Sequence, residues 1–138
     1  MEPRANEHPE PLFHPRLGVL RWHALEQLWF AQVDRSQVRD GQLGVAAATD
    51  LDRAAELLDW LGNHRDSFYA SVAYQAFNYD LIWNDDLDEV VLAAKLTVQS
   101  VTVRRGEAEV WLDTGGATTD HLLLARLNAR HEIVGMEL

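Results

Sequence analysis

The chain has 138 residues, a net charge of −10 and no cysteine, and hydrophobic and charged residues make up 47% and 25% of it. These fractions are close to globular averages and the length fits one core, so a disordered chain is not expected. The missing cysteine excludes disulfides and thiolate sites, and the negative charge opposes unaided binding to nucleic acid or to an anionic membrane.

The first 15 residues contain all four prolines of the chain. Proline fixes φ and lacks an amide donor, so we predict a flexible proline-rich arm over residues 1–15 and a single α+β domain over residues 16–138. The end of the arm, Leu12-Phe13-His14-Pro15, is apolar enough to lie against the domain or a neighbouring subunit. There is no apolar run typical of a signal peptide or a membrane span, so a cytoplasmic location is expected.

The first elements of the domain are predicted to be three short strands: Leu17–Trp22, Leu28–Asp34 and Leu43–Ala48. Turns that contain glycine punctuate this region. In the second strand, apolar residues alternate between the two faces, so both faces are expected to be covered.

Helical spacing begins after these strands. Thr49 or Asp50 can cap a helix in which apolar residues recur every three or four positions over 51–61. A second helix is predicted over 66–83, and its aromatic residues lie on more than one face, which favours burial on two sides. After an acidic link, Val90–Lys95 is predicted to form a short third helix with acids at its positive N-terminal end.

Four further strands are predicted: Leu96–Arg104, Glu107–Asp113, His121–Leu127 and Glu132–Leu138. The alternation in the second of them is typical of a half-buried antiparallel strand, and Arg105-Gly106 makes a tight hairpin turn before it. The predicted fold class is therefore α+β, with an antiparallel sheet from an N-terminal three-strand group and a C-terminal four-strand meander. The two to three helices between these groups pack on one face.

The acidic link over 84–89 is the most suggestive candidate for a cation site, because closely spaced carboxylates suit calcium. A calcium loop that starts at Asn84 also needs a glycine and a final glutamate where this chain has Glu89 and Lys95. A solvated loop and a docking patch for a cationic partner are the competing interpretations. We expect no metal site and no cofactor.

Catalytic motifs are equally weak. Glu107 and Glu109 share one strand face about 7 Å apart, a separation at which two carboxylates can divide acid and base roles. Alternate glutamates are also typical of the solvent-exposed face of a two-layer domain. The six histidines lack metal-binding spacing, and no serine lies in a nucleophile motif. We therefore expect no catalytic residue and a protein that is not an enzyme.

One tryptophan is set apart by the alternation of its strand. Trp111 shares a face with Glu109, opposite Val110 and Leu112. Its indole either packs under the helices or marks a contact surface.

A pattern that runs over residues 17–138 consists of Leu17-Gly18-Val19-Leu20, then Trp29, a helical middle, an Arg-Gly hairpin turn and the segment His121-Leu122-Leu123-Leu124-Ala125-Arg126-Leu127. It resembles a loose group of small bacterial proteins that are domains of unknown function, some linked by gene neighbourhood to immunity against polymorphic toxins. The usual form has a glycine in the final hairpin turn, where this chain has Asn128-Ala129-Arg130-His131. The resemblance supports the fold and carries no catalytic residues with it.

The negative charge is concentrated in the helical middle. Residues 50–89 hold ten acids and two arginines, a net charge of −8, whereas the other 98 residues have a net charge of only −2. This predicts a protein-binding or accessory domain, such as an immunity-type protein that docks a basic partner through its acidic helical side. The alternatives are a homo-oligomeric structural domain, and an enzyme or ligand-binding domain without a recognisable motif. The predicted partner-binding residues are Asp85, Asp86, Asp88, Glu89, Asp52, Glu56, Asp59 and Trp111.

Overall fold

A single sheet of eight strands organises the chain. The structure, a computed structural model, describes residues 9–138, so most of the predicted arm, residues 1–8, lies outside the described residues. The strands follow one another in the sheet in chain order. They are β1 (Leu12–His14), β2 (Gly18–His23), β3 (Leu28–Gln32), β4 (Gln42–Val45), β5 (Thr97–Arg104), β6 (Glu107–Asp113), β7 (Leu123–Leu127) and β8 (Ile133–Glu137).

All neighbouring strands are antiparallel except β4 and β5, which run parallel with Leu43 opposite Val101 and Val45 opposite Val103. Parallel neighbours need a long crossover. Here the crossover contains a 3₁₀ turn, Ala48–Asp50, and all three helices: α1 (Leu51–Asn63), α2 (Arg65–Asn78) and α3 (Glu89–Lys95). The predicted α+β class is confirmed. No helix within residues 9–138 has the length and apolar character needed to cross a membrane.

The N-terminal group has four strands rather than the predicted three, because Leu12–His14 pairs with β2. His14 is buried and stabilises this extra strand. Its Nδ1 accepts hydrogen bonds from the amides of Arg16 and Leu17 at 3.1 and 3.3 Å, so its Nε2 carries the hydrogen that is donated to Asp52 at 2.7 Å. The flanking prolines limit the strand to three residues.

The second helix is shorter than predicted, ending at Asn78 instead of Trp83. Asp80 has a left-handed φ of 60°, and the amide of Leu81 reaches back to the carbonyl of Ala76 at 3.0 Å. This is a Schellman ending, which glycine usually makes. Because Asp80 takes that place, the sequence pattern does not mark the end of the helix.

One face of the sheet packs against the helices. The predicted alternation of β6 is confirmed, with Val110 and Leu112 in the same core as Leu57 of α1 and Val72 of α2. Each such side chain contributes about 1.5–3 kcal/mol when fully buried. Trp111 points to the opposite face of the sheet, which no helix covers within the described residues. Of the two interpretations of Trp111, packing under the helices is therefore wrong.

Candidate functional site

Among the described residues, Trp83, which follows α2, is the most exposed tryptophan. Its relative exposure is 79%. The indole Nε1 donates a hydrogen bond to the carbonyl oxygen of Asp80 at 2.8 Å. Tyr79 and Val90, close to it in the chain, are also exposed. Because the left-handed turn at Asp80 and this hydrogen bond hold the indole, Trp83 is presented to solvent in a defined orientation.

Five carboxylates flank Trp83 in the chain, and all of them belong to exposed residues. We define the Trp83 surface as Trp83, Tyr79 and Val90 together with these acids, which are Asp80, Asp85, Asp86, Asp88 and Glu89. Within residues 9–138 none of the five acids forms an ion pair with a basic side chain. As far as the described part of the chain goes, the surface therefore presents an aromatic anchor beside negative charge that no basic side chain pairs.

The acidic link is ordered by its own backbone. The Oδ1 atom of Asn84 accepts a hydrogen bond from the amide of Asp86 at 2.9 Å, and Oδ1 of Asp88 caps α3 by accepting from the amide of Val91 at 2.8 Å. Leu87 packs against the core between them. Two of the oxygens that a calcium loop would use are thus bonded to amides. Over residues 9–138 the structure contains no cluster of three side chains able to hold a metal ion.

The three predicted acids of α1 lie on one helical face, since Asp52, Glu56 and Asp59 are spaced four and three residues apart. Their side chains are exposed, but each has a partner in the chain. Asp52 accepts from His14 at 2.7 Å, and Asp59 pairs with Arg16. Glu56 lies 3.5 Å from a nitrogen of Arg53. Each of these acids therefore contacts an arginine or histidine side chain, which none of the acids of the Trp83 surface does within residues 9–138.

Asp50 and Arg53, at the N-terminal end of α1, form hydrogen bonds with the turns of two β-hairpins. Buried Asp50 accepts hydrogen bonds from the amides of Arg105 and Gly106, at 3.1 and 2.9 Å, in the β5–β6 turn. Arg53 donates from Nε to the carbonyl of Gly106 at 2.8 Å and from Nη2 to the carbonyl of Asn128, in the β7–β8 turn, at 2.9 Å. The side chain of Arg53 is only 11% exposed. This carboxylate and this guanidinium fasten both turns to the helical layer.

His131 belongs to the same cluster. Nη1 of Arg53 donates to its Nδ1 at 3.2 Å, so Nε2 carries the hydrogen and faces Glu56 at 3.5 Å. The ring stacks on Trp60 with centroids 4.6 Å apart, and His64 also stacks on Trp60 at 5.1 Å. Burial and then the charge of Arg53 lower the pKa of His131, while Glu56 opposes that shift. A cleft of about 280 Å³ lies beside this stack.

The lowered pKa of His131 makes stability depend on pH. The unfolded chain takes up the proton near the ordinary pKa of 6.5, before the folded chain does. The contribution of neutral His131 is therefore complete above pH 6.5 and is lost as the pH falls through 6.5 towards the folded pKa. We expect His131→Asn, which tolerates the left-handed φ of 64° at this position, to flatten the profile in urea titrations. His121→Asn is the control, and an unchanged profile in His131→Asn would contradict the assignment.

Trp111 lies away from the helical acids, on the uncovered face of β6. It pairs with Ser100 of β5 and with Leu124 of β7, and it is half-buried between them. The predicted partner-binding residues therefore fall into three groups: the acidic link, the outer side of α1 and this strand face. The structure does not bring them together into one site.

The sequence pattern does not mark Trp83 as a site residue, because helical spacing that continues to Trp83 predicts a buried position at the end of a long helix. The signal that could have identified it is the acidic run that begins two residues later, since such a run is rare beside a core position. The chain matches no family model, no curated protein and no solved structure.

Proposed function

We propose that this chain is a non-catalytic protein-binding domain and that its partner is a basic protein that docks on the Trp83 surface. The observation that carries the proposal is the exposed indole of Trp83, fixed by its hydrogen bond to Asp80 beside carboxylates that have no basic partner among residues 9–138. Tryptophan is enriched among the residues that dominate binding energy, particularly where the surrounding contacts exclude water.

The chemistry of the surface favours arginine and lysine on the partner. A guanidinium can stack on the indole face and pair with a neighbouring carboxylate at the same time. The link carries four acids in five residues, Asp85, Asp86, Asp88 and Glu89, so its field would also steer a basic partner towards the surface. The bonds of Asn84 and Asp88 to backbone amides hold the link in place, which lowers the entropy lost on binding.

A basic toxin, such as a nuclease, is the partner class that we infer. A nucleic-acid-binding enzyme needs a positive surface, and a negatively charged inhibitor complements it. The resemblance of residues 17–138 to small proteins linked with toxin immunity supports the same partner class. In this role the chain would occlude its partner and perform no chemistry of its own.

The test removes charge from the link without altering its shape. We expect Asp85→Asn with Asp86→Asn to reduce recovery of the partner in a pull-down from the native host. The reduction should be large at low salt and small at high salt, because exposed charges are screened. The matched control is Glu26→Gln with Asp120→Asn, which removes two exposed acids elsewhere. Equal loss in both variants, or capture that does not respond to salt, would count against the proposal.

A further inference from the structure

The contact between the β7–β8 turn and α1 depends on two side chains, His131 of the turn and Arg53 of the helix. Arg53 reaches the turn twice, at the carbonyl of Asn128 and at Nδ1 of His131. The imidazole also stacks on Trp60 with an interplanar angle of 15°, so it covers one face of that indole. We call His131, together with Arg53, Glu56 and Trp60, the His131 latch.

The guanidinium of Arg53 has a fixed position in the latch. Its Nε donates to the carbonyl of Gly106 at 2.8 Å, and its Nη2 donates to the carbonyl of Asn128 at 2.9 Å. Because arginine has donors only, Nδ1 of His131 must accept the hydrogen bond from Nη1. A proton on this Nδ1 would place two donors and two positive charges 3.2 Å apart. The closed latch therefore requires a neutral imidazole.

Two groups of α1 act on the charge of the imidazole in opposite directions. Arg53 opposes a proton, whereas the carboxylate of Glu56 lies 3.5 Å from Nε2 and favours one. The side chain of Glu56 is 63% exposed, so water and salt screen its attraction, while that of Arg53 is 11% exposed. Burial and the guanidinium together outweigh the carboxylate and lower the pKa of His131. A protonated imidazole is thus less stable in the closed latch than in water.

The other elements around the ring do not compensate for Arg53. Among residues 9–138, Glu56 is the only carboxylate within ion-pairing distance of His131. At the α1–α2 junction His64 stacks on the opposite face of Trp60, and its charge also disfavours a proton on His131. The neighbours of His131 in the turn, Arg130 and Glu132, are exposed to solvent. Helix α2 contributes only uncharged side chains to the adjacent cleft, which are those of Ser67, Phe68, Ser71 and Gln75.

We propose that the His131 latch is a pH-sensitive device, which holds the β7–β8 turn on α1 while the imidazole is neutral and opens when the imidazole takes up a proton. The turn has hydrogen bonds of its own that preserve its shape when the latch opens. Oδ1 of Asn128 accepts from the amides of Arg130 and Glu132 at 2.9 and 3.0 Å. The imidazole can therefore leave Arg53 for solvent while the sheet remains folded.

Opening of the latch changes the surface around Trp60. In the closed form both faces of this indole are covered, one by His131 at 4.6 Å and the other by His64 at 5.1 Å. The cleft of about 280 Å³ lies beside the covered ring. Once the imidazole leaves, one indole face and the polar side chains of α2 line a single, larger recess. Acid thus exposes an aromatic surface that is covered at neutral pH.

The direction of the pH dependence follows from the two forms of the latch. The open form takes up its proton near the ordinary pKa of 6.5, and the closed form does so only at a lower pH. The ratio of open to closed molecules is therefore constant well above pH 6.5 and rises as the pH falls through 6.5. It becomes constant again once the closed form is protonated as well.

Fluorine NMR of a chain labelled with fluorotryptophan tests the latch, because the chain has only five tryptophans and their signals can be resolved. The signal of Trp60 is identified by its loss in Trp60→Phe. Its solvent isotope shift, the difference between water and heavy water, measures the exposure of the indole. We expect this isotope shift to rise as the pH falls from about 8 to about 5, with the same midpoint as the His131 ring, which proton NMR measures in the same sample.

Two variants and one internal reference make the test decisive. His131→Asn should abolish the rise at Trp60, because asparagine does not titrate, whereas His64→Asn should retain it. Trp29, in the N-terminal half of the sheet, reports general loosening of the fold and should not change. If the His131 ring titrated while the isotope shift of Trp60 stayed constant, the closed latch would accommodate the proton and the proposal would be overturned. A parallel change at Trp29, or a rise that persists in His131→Asn, would overturn it as well.

The latch is independent of the binding role of the Trp83 surface. Trp83 follows the C-terminal end of α2, whereas the latch contacts α1 and the residues before α2. Trp83→Ala should therefore leave the pH-dependent change at Trp60 intact. Loss of that change in Trp83→Ala would contradict the local origin of the latch.

Discussion

Replacing Arg53 by methionine is expected to lower the free energy of unfolding by about 3 kcal/mol, because two part-buried carbonyl acceptors would lose a charged donor. Methionine keeps the apolar length of the side chain but leaves the carbonyls of Gly106 and Asn128 without their donor. Both turns would then be held less tightly on α1, and His131 would lose the hydrogen bond to its Nδ1. Urea unfolding followed by circular dichroism measures the change.

Arg104→Met is the control for Arg53→Met, since Arg104 is an exposed arginine at the end of β5, next to the turn that Arg53 contacts. A surface substitution of this kind usually changes stability by less than about 0.5 kcal/mol. If the two variants unfolded at the same urea concentration, Arg53 would have no special role in joining the hairpins to the helical layer.

Replacing Trp83 by alanine is expected to weaken binding of the basic partner by about 30-fold or more, the effect typical of a central aromatic anchor. The thermal midpoint of the free chain should hardly change, because 79% of the side chain is already exposed. Isothermal titration calorimetry with the partner captured in the pull-down measures the affinity.

Trp83→Phe separates the aromatic contribution from the hydrogen bond. Phenylalanine keeps a ring that can pack on a guanidinium but cannot donate to the carbonyl of Asp80. An intermediate affinity is expected, because the ring would be held less firmly. Wild-type affinity in Trp83→Ala would remove this residue from the interface and leave the acids as the sole attraction.

The elements whose structure depends on neighbouring residues in the sequence were predicted correctly. The alternation of β6, the two-residue turn at Arg105 and Gly106 and the spacing of α1 each express the geometry of one element, and each is confirmed. Three predictions were wrong, and each has a long-range or unusual cause. The sheet was predicted to be antiparallel, but β4 and β5 run parallel, and no local pattern marks the pairing of strands that lie on either side of all three helices. The strand at Leu12–His14 depends on a bond between His14 and Asp52, which are 38 residues apart, and α2 stops at an aspartate in a conformation that normally marks glycine.

The charge of the candidate site could be predicted from the sequence, but the spatial arrangement of its residues could not. A count of acids located the Asp85–Glu89 link, because charge is a property of composition. The partners of Asp52 and Asp59 come from the N-terminal segment of the chain, so their pairing appears only in three dimensions. The exposure of Trp83 depends on where α2 ends, and that depends on a single left-handed residue.

The parallel pairing of β4 with β5 has a consequence for the order of folding. Each half of the sheet is a meander whose strands meet through short turns, whereas Val45 can meet Val103 only after a crossover of 51 residues has closed. Closing a loop of that length costs about 3.5 kcal/mol of chain entropy before any contact offsets it. We therefore expect the two meanders to form early and the β4–β5 pairing late, which would make docking of the helices the step that limits the folding rate.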